Sequence, residues 1–373
     1  MKLIRRRASC ASYSSAARAY CDNLVQSRDY DNYALAHLLP TSWPSGSGSD
    51  SGGSSGPRAA YVACRALNAE LASVREAVQG NAQTGQLRMQ WWREDIKRVV
   101  QESRDSEVGA PASTTKGASE GLARPTHYVL RELGRHLPMC ELSERWLLRG
   151  LEAREAELVS ESHHSIADLE AYSEATCSSQ LYLALETLDI RGPQYRRTPS
   201  PWDEEQLRNT LQAASHLGKA IGIVTALRGA IFAAHESGRC SLPRDVLDEA
   251  GITARGAAEL LVGSSSEEGE GAGPAGDGSR AASARRGDPA ALREAVFQIA
   301  TVAHNHVEHA KELRGDVLPA AAPVLVASTI VAQHLERLRR CDFELRDPSF
   351  VVPGRFATQR ALLYFSVFGG DGY

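Results

Sequence analysis

Apolar residues recur at the spacing of an α-helix through most of the chain. Between residues 144 and 159, Leu147, Leu151 and Leu158 fall close to one face, whereas charged side chains such as Arg149 fall on the other side. This pattern predicts an amphipathic helix that packs one face against a core.

One segment is apolar nearly all round. Residues 213–235 carry few charged side chains, which predicts a helix buried at the centre of the fold. Further long helical patterns cover residues 289–317 and 319–345, and strand-like alternation is hard to find. Arg154 departs from the pattern, since its spacing puts it on the apolar side of the 144–159 helix. The chain is therefore predicted to be all-α.

Three stretches interrupt the helical pattern. Residues 45–57, 109–121 and 263–288 are rich in glycine and serine and cannot bury enough apolar area to offset the entropy of ordering. The helices on either side share no independent pattern. We therefore interpret these stretches as insertions into helix connections of a single domain, 20–373.

Composition narrows the possible functions. The chain has 373 residues and a formal net charge of −4, so it has no global basic footprint for nucleic acid. No run approaches the roughly 18 apolar residues that a membrane span needs. Seven cysteines are scattered singly, which argues against a disulfide framework and against a zinc site. They indicate buried thiols in a reducing compartment.

The first 19 residues differ from the rest in composition. They carry Lys2, Arg5, Arg6, Arg7 and Arg18 together with several serines, and the first acidic residue comes only afterwards. This composition is typical of a mitochondrial targeting presequence. A chloroplast transit peptide and a disordered basic tail are the alternatives.

Several segments carry motifs in a fixed order. They are "RDYDNYALAHLLP" with "AAYVACRALNAEL", then "LRMQWWREDIKRV", "RPTHYVLREL", "LEAYSEATCSSQLYLALETL" and "GKAIGIVTALRGAIFAAHESGRCSLPRDVL". Together they resemble the squalene/phytoene synthase family, and most closely its mitochondrial branch linked to assembly of respiratory complex I. The resemblance implies an isoprenoid-synthase-like helical domain around a central cavity.

The chemistry of that family needs carboxylates that this chain lacks. Ionising a prenyl diphosphate requires Mg²⁺ held by oxygen ligands, and two helices supply aspartates at i and i+4. Here the first pair of positions holds Asn68 and Ala72, and the second should lie between 228 and 238, where Glu236 is the only acid. The expected second positions hold small residues: Gly229 or Ala230, and Ala233 or Ala234. We therefore expect no catalytic residue, no metal site and no cofactor.

What remains of the site is a remnant prenyl-diphosphate pocket. The resemblance assigns to it Tyr61, Arg65 and Asn68 on one helix, with Arg228 across from them. The helices around 61–74 and 213–235 are expected to pack as neighbours. The double substitution Asn68→Asp/Ala72→Asp is expected to destabilise the protein, because two like charges would enter a cavity without a metal.

Three histidines lie in the sequence "HNHVEH". His306 and His309 share a helix face, whereas His304 points about 200° away from His306. One helix cannot aim all three at a single ion, so packing with a polar edge is the favoured interpretation. Trp91 and Trp92 are adjacent and face different ways, which predicts one in the core and the other at a pocket or an interface.

These observations favour a non-catalytic protein of the synthase fold, a pseudoenzyme. By resemblance it supports assembly or accessory structure of mitochondrial complex I (NADH dehydrogenase), with complex I subunits or assembly intermediates as partners. We expect it in the matrix, peripheral to the inner membrane. The alternatives are an isoprenoid- or lipid-binding protein, and an active head-to-head prenyl synthase with atypical ligands.

Overall fold

The computed structural model describes residues 2–43, 56–107, 127–160, 162–191, 202–263 and 288–351. These residues form helices and contain no strand, which confirms the predicted all-α fold. The α-helices are α1 (Lys2–Arg28), α2 (Tyr30–Ala36), α3 (Pro57–Ala77), α4 (Ala82–Glu107), α5 (Tyr128–Cys140), α6 (Glu144–Glu157), α7 (Ile166–Ser173), α8 (Ser179–Glu186), α9 (Glu204–Ser237), α10 (Arg244–Glu249), α11 (Ala254–Val262), α12 (Pro289–Glu312), α13 (Ala322–Leu325), α14 (Ala327–Arg340) and α15 (Pro348–Val351).

Helix α9 is the central element of the described fold. It is 34 residues long, and Leu217, Ile223 and Leu227 on it are fully buried. It packs along α12 and also against α7, α8, α11 and α14. The prediction of a central buried helix from the apolar run is thus confirmed.

The same helix corrects one expectation about membranes. Helix α9 contains an 18-residue window with a mean hydropathy of 1.5, long and apolar enough to cross a bilayer. Half of that window is buried inside the protein, and core helices pass the same test. An apolar helix of this length is therefore present, and packing against other helices accounts for it.

Two glycines let α9 approach its neighbour closely. A Cβ atom on Gly218 would lie 2.4 Å from the Cα of Ser178, and one on Gly222 would lie 2.8 Å from the Cα of Ser173. Ser173 precedes, and Ser178 ends, a five-residue π-helical turn, Glu174–Ser178, between α7 and α8. Any larger residue at these two positions would push the backbones apart.

Helix α1 crosses the boundary predicted for the targeting presequence. Ala17, Cys21 and Val25 are buried, and α1 packs against α3 and α5. The division into a presequence, 1–19, and a domain remains a prediction. The Gly/Ser-rich segments 45–57, 109–121 and 263–288 lie almost wholly outside the described residues.

The two helices expected as neighbours do not lie side by side. Helix α3 packs against α1, α5 and α8, while α8 and the π-helical turn contact α9. Among the described elements, α8 therefore lies between α3 and α9 and contacts both helices.

Candidate functional site

Helix α3 presents its polar residues toward α2. Tyr61 is buried, and its hydroxyl donates a hydrogen bond of 2.7 Å to the Oδ1 atom of Asn32. Tyr61, Arg65 and Asn68 are spaced by four and three residues, so they lie on one face of the helix. Burial is the main cause that raises the pKa of Tyr61 above its usual value, so this phenol stays protonated.

Arg65 is held in an ion pair by the residue that precedes α2. Its Nε donates a 2.8 Å hydrogen bond to Oδ2 of Asp29, and its Nη2 donates to the same oxygen. The side chains of Arg65 and Asp29 are 10% and 21% exposed. Burial opposes the charge on Arg65, but the adjacent Asp29 outweighs it and raises the pKa of Arg65 above its ordinary value.

Asn68 is paired with the arginine that broke the amphipathic pattern. Arg154 of α6 donates from Nη2 to Oδ1 of Asn68 at 2.7 Å and from Nη1 to the carbonyl of Gly150 at 3.0 Å. Arg154 thus lies on the inner side of α6 because it reaches α3. Ala72, one turn further along α3, is exposed to solvent.

These two positions correct the expectation for the double aspartate substitution. An aspartate at Asn68 would face the guanidinium of Arg154, and an aspartate at Ala72 would stand in water. Neither charge would be buried without a partner, so the reason given for the expected destabilisation, two unpaired charges in a cavity, is wrong.

Arg228 enters the site from α9. Its Nε is buried and has no hydrogen-bond partner among the described residues. Burial lowers the pKa of Arg228, and the charge of Arg337 lowers it further, whereas Asp31 and Asp29 raise it. The Oδ2 atom of Asp31 in turn lies 3.3 Å from the Nε2 atom of His334 on α14.

These residues form what we call the arginine cluster, defined as Asp29, Asp31, Asn32, Tyr61, Arg65, Asn68, Arg154, Arg228, His334 and Arg337. Its four arginines outnumber its two aspartates. His334 is buried and its pKa is lowered, chiefly by that burial, which favours the uncharged ring. The cluster therefore carries a surplus of positive charge, suited to an anion and unsuited to Mg²⁺.

The second helix contributes no carboxylate to this cluster. Ala230 and Ala234 are buried, whereas Gly229 is exposed. Glu236 lies beyond them and is also exposed. On α3, Glu70 points elsewhere, because its Oε1 accepts the Tyr20 hydroxyl at 2.5 Å. The acids near the site come instead from the segment before and within α2.

An open groove of about 450 Å³ lies on the other side of α3, against α4. Leu87 is 73% exposed and Trp91 is 39% exposed, while Trp92 is buried and its ring lies 4.7 Å from that of His127. The two tryptophans thus separate into one surface and one core residue, as predicted. The lining of this α3/α4 groove is Glu70, Ser73, Val74, Ala77, Thr84, Leu87, Arg88, Trp91, Trp92 and His127.

The histidines of α12 do not converge by themselves. His304 is exposed and lies apart, whereas His306 and His309 meet His216 of α9. The sequence interpretation considered only histidines that are close along the chain. Because His216 is 90 residues from His306, no local pattern could have revealed the meeting.

Six of the ten residues of the arginine cluster are absent from the pocket that the sequence predicts. Asp29, Asp31 and Asn32 lie in a segment that contributes to the family resemblance, and they place two acids and an amide within four residues. Arg154 is the exception to the pattern of its helix, and that exception marks a half-buried polar contact.

Comparison with known proteins gives a family and a set of relatives. Residues 55–356 match the family described as squalene/phytoene synthase. The chain is similar to the protein named NADH dehydrogenase (ubiquinone) complex I, assembly factor 6 of Rattus norvegicus, at 28% identity over 94% of this chain and 82% of that protein. It is similar to the Homo sapiens protein of the same name at 28% identity, over 88% of this chain and 76% of that protein.

Among solved structures, the chain is similar to squalene synthase HpnC from Alicyclobacillus acidocaldarius. The TM-score is 0.55, with 89% of this chain and 96% of that protein covered. The two sequences are 14% identical, so the likeness shows a shared fold. It confirms the isoprenoid-synthase-like fold that the sequence motifs predict.

Proposed function

The chain belongs to the squalene/phytoene synthase family, and we propose that it supports the assembly of mitochondrial respiratory complex I without transferring prenyl groups. The observation that carries the proposal is the chemistry of the arginine cluster. The family's reaction needs carboxylates on two helices. At those positions this chain has Asn68 on α3, hydrogen-bonded to Arg154 of α6, and buried alanines on α9.

The remaining acids of the cluster are a poor substitute for metal ligands. Asp29 is engaged by Arg65, and Asp31 lies beside His334 and near Arg228. A Mg²⁺ ion would have to displace a buried guanidinium and then sit among an excess of positive charge, which repels it. A diphosphate leaving group would therefore lack the divalent ions that neutralise it, which makes the chain a pseudoenzyme.

The role in assembly is supported by the relatives. Both relatives reported above are named as complex I assembly factors, and the similarity spans most of their length. The basic, serine-rich start of the chain supports a mitochondrial location. We place the chain in the matrix, peripheral to the inner membrane, with complex I subunits or assembly intermediates as its partners.

The α3/α4 groove is the surface we assign to the partner. Leu87 is 73% exposed and Trp91 projects beside it, and aromatic residues of this kind dominate binding energy at protein interfaces. Arg88 lines the same groove and offers a charged donor at its edge. A protein segment of complex I would cover these apolar atoms.

A pull-down from mitochondria tests the proposal. Tagged wild-type chain should recover complex I subunits or intermediates, and Trp91→Ala and Leu87→Asp should each reduce the recovery at least tenfold without changing the thermal unfolding temperature. Phe297→Ala is the matched control, since Phe297 is 44% exposed on α12. Failure of the wild-type chain to recover any complex I component would refute the proposal.

A second candidate function is favoured by Arg228. Its buried Nε has no partner in the described part of the chain, and with the surplus charge around it this supports binding of a phosphate-type anion, such as the headgroup of an isoprenoid or other lipid, without metal. Isothermal titration with pyrophosphate in the presence of a chelator tests this candidate. Absence of measurable binding would remove it and leave the assembly role untouched.

A further inference from the structure

Three histidines from two helices converge at the contact between α9 and α12. One ring nitrogen from each of His216, His306 and His309 lies within 4.8 Å of the corresponding atoms of the other two. The ring of His216 lies 5.2 Å from that of His306 and 5.1 Å from that of His309, measured between centroids. We call these residues the histidine cluster.

The hydrogen-bond partners fix which nitrogens carry lone pairs. Nε2 of His306 lies 2.6 Å from Oε1 of Glu170 on α7. A carboxylate oxygen only accepts, so Nε2 of His306 carries the proton and its Nδ1 is left with a bare lone pair in the neutral ring. That Nδ1 lies 2.9 Å from Nδ1 of His216. The two Nδ1 atoms are thus within hydrogen-bond distance, and a metal ion could take the place of the single proton that they can share.

This arrangement matches the needs of a metal ligand. Metal-binding histidines usually donate their second ring N–H to a carboxylate, which fixes the tautomer and orients the ring. Glu170 provides this for His306. Two nitrogens bound to one zinc ion at about 2.0–2.1 Å lie roughly 3.3 Å apart in tetrahedral geometry. The Nδ1 atoms of His216 and His306, 2.9 Å apart, are close to that separation.

The histidine cluster is reachable from solvent. His306 is buried, His216 is half-buried and His309 is exposed, which leaves an ion access from solvent.

The neighbouring acid is already engaged. Glu174 accepts hydrogen bonds from Ser215 at 2.7 Å and from Ser178 and Tyr182 at 2.8 Å. The donor set facing an ion is therefore three imidazole nitrogens, with water for the fourth position. Such a set suits zinc and related transition metals, whereas Mg²⁺ and Ca²⁺ prefer oxygen.

We propose that His216, His306 and His309 bind one Zn²⁺ ion per chain, with Glu170 as the carboxylate that positions His306. The ion would tie α9 to α12. The site is separate from the arginine cluster: Arg228 lies twelve residues beyond His216 on α9, about 18 Å along the helix axis. It does not depend on the proposed role in complex I assembly.

Titration of the purified full-length chain tests the proposal. After removal of metals by a chelator, Zn²⁺ should bind with a stoichiometry of one and raise the thermal unfolding temperature, and Mg²⁺ should do neither. Co²⁺ in place of Zn²⁺ should give visible absorption of tetrahedral type without the near-ultraviolet band of a cobalt–thiolate bond. A thiolate band would show that cysteines bind the ion and would overturn the assignment.

Variants locate the site on the chain. His309→Ala and His216→Ala should each weaken Zn²⁺ binding by a hundredfold or more, and Glu170→Gln should weaken it by about 10–100-fold. His304→Ala is the matched control, since His304 lies on α12 but outside the cluster, and it should bind Zn²⁺ as the wild type does.

Circular dichroism of each variant separates lost binding from lost folding. His309 is exposed, so its replacement should leave the helical spectrum unchanged and keep the test valid even if His216→Ala unfolds. Equal loss of binding in His304→Ala and His309→Ala, or no stoichiometric binding by the wild type, would overturn the proposal.

Discussion

The arginine cluster and the histidine cluster are both polar, both lie between packed helices, and both include a residue of α9. In the arginine cluster, each aspartate already lies against a cationic or polar partner: Asp29 against Arg65, and Asp31 against His334. In the histidine cluster, the Nδ1 atoms of His216 and His306 lie 2.9 Å apart, with room for one proton between them. One site has surplus positive charge, and the other has surplus lone pairs.

The difference teaches where a metal ion belongs in this chain. The positions that the family resemblance assigns to carboxylates carry an amide held by an arginine on α3 and buried alanines on α9. Under the proposed function, the fold keeps a pocket without the family's chemistry, since a few side chains decide the charge of the site. Elsewhere in the fold, His216 of α9 meets His306 and His309 of α12, and the three side chains form a donor set of different chemistry.

The largest expected effect comes from breaking the ion pair of the arginine cluster. Arg65→Ala should lower the free energy of unfolding by about 3 kcal/mol, because it leaves the half-buried Asp29 with only the hydrogen bond from Asn32 in place of its ion pair. Urea titration of the purified protein measures this. Arg255→Ala is the control: Arg255 pairs with Glu259 on the surface, and its loss should cost at most about 1 kcal/mol. Similar costs for both variants would show that the cluster is not a tightly held network.

The next effect sharpens the contrast in charge. Pyrophosphate should bind the wild type without metal, and Arg228→Met should weaken that binding by about 1.5–3 kcal/mol, the value of a hydrogen bond to a charged group. Calorimetry with a chelator present measures both proteins. His216→Ala, in the other cluster, should bind pyrophosphate unchanged. Equal weakening in the two variants would mean that the clusters are not independent.

Restoring the family's first carboxylates should change little. Asn68→Asp/Ala72→Asp should alter the free energy of unfolding by less than about 1 kcal/mol, because Arg154 pairs with the first charge and water surrounds the second. Farnesyl diphosphate with Mg²⁺ should still give no squalene, since α9 lacks the facing ligands. Turnover by this variant would show that one aspartate pair suffices.

The smallest expected effect is a pH dependence of the histidine cluster. Burial and the neighbouring charges lower the pKa of His216 in the folded chain. In the unfolded chain, the His216 ring is protonated as the pH falls through about 6.5, and in the folded chain it is protonated only at lower pH. Stability from neutral His216 is therefore present above about pH 6.5 and is lost as the pH falls below it.

Thermal melts of metal-free protein test this dependence. The wild type should lose more stability between pH 7.5 and pH 5.5 than His216→Gln does. The comparison of the two proteins isolates the share of His216, because the other titratable groups of the cluster and its surroundings are the same in both. These groups are Glu170, His306, His309, Lys219 and Glu174. Parallel pH curves for the two proteins would contradict the expectation.

The sequence predicted the elements of this fold because their signals are local. The apolar run at 213–235 predicted the buried core of α9, and the 144–159 pattern predicted α6. The loss of the two carboxylate pairs was also visible, since each pair occupies adjacent turns of one helix. Those features depend only on helical spacing.

The contacts that define the sites were not local. The pairs Arg65–Asp29, Asn68–Arg154 and His216–His306 are 36, 86 and 90 residues apart along the chain. Helical spacing says which face a side chain occupies, but not which distant helix that face meets. The exposure of Ala72 likewise depends on where neighbouring helices end, so helical spacing alone could not show that this position faces solvent.

The central claim is that this chain serves complex I assembly through its fold and not through prenyl transfer. Its most direct test is the amount of assembled complex I in mitochondria of cells depleted of the chain, measured on native gels. The account predicts that complex I falls and partial assemblies accumulate, and that re-expressing either the wild type or Asn68→Asp/Ala72→Asp restores it. Normal complex I in the depleted cells would contradict the account.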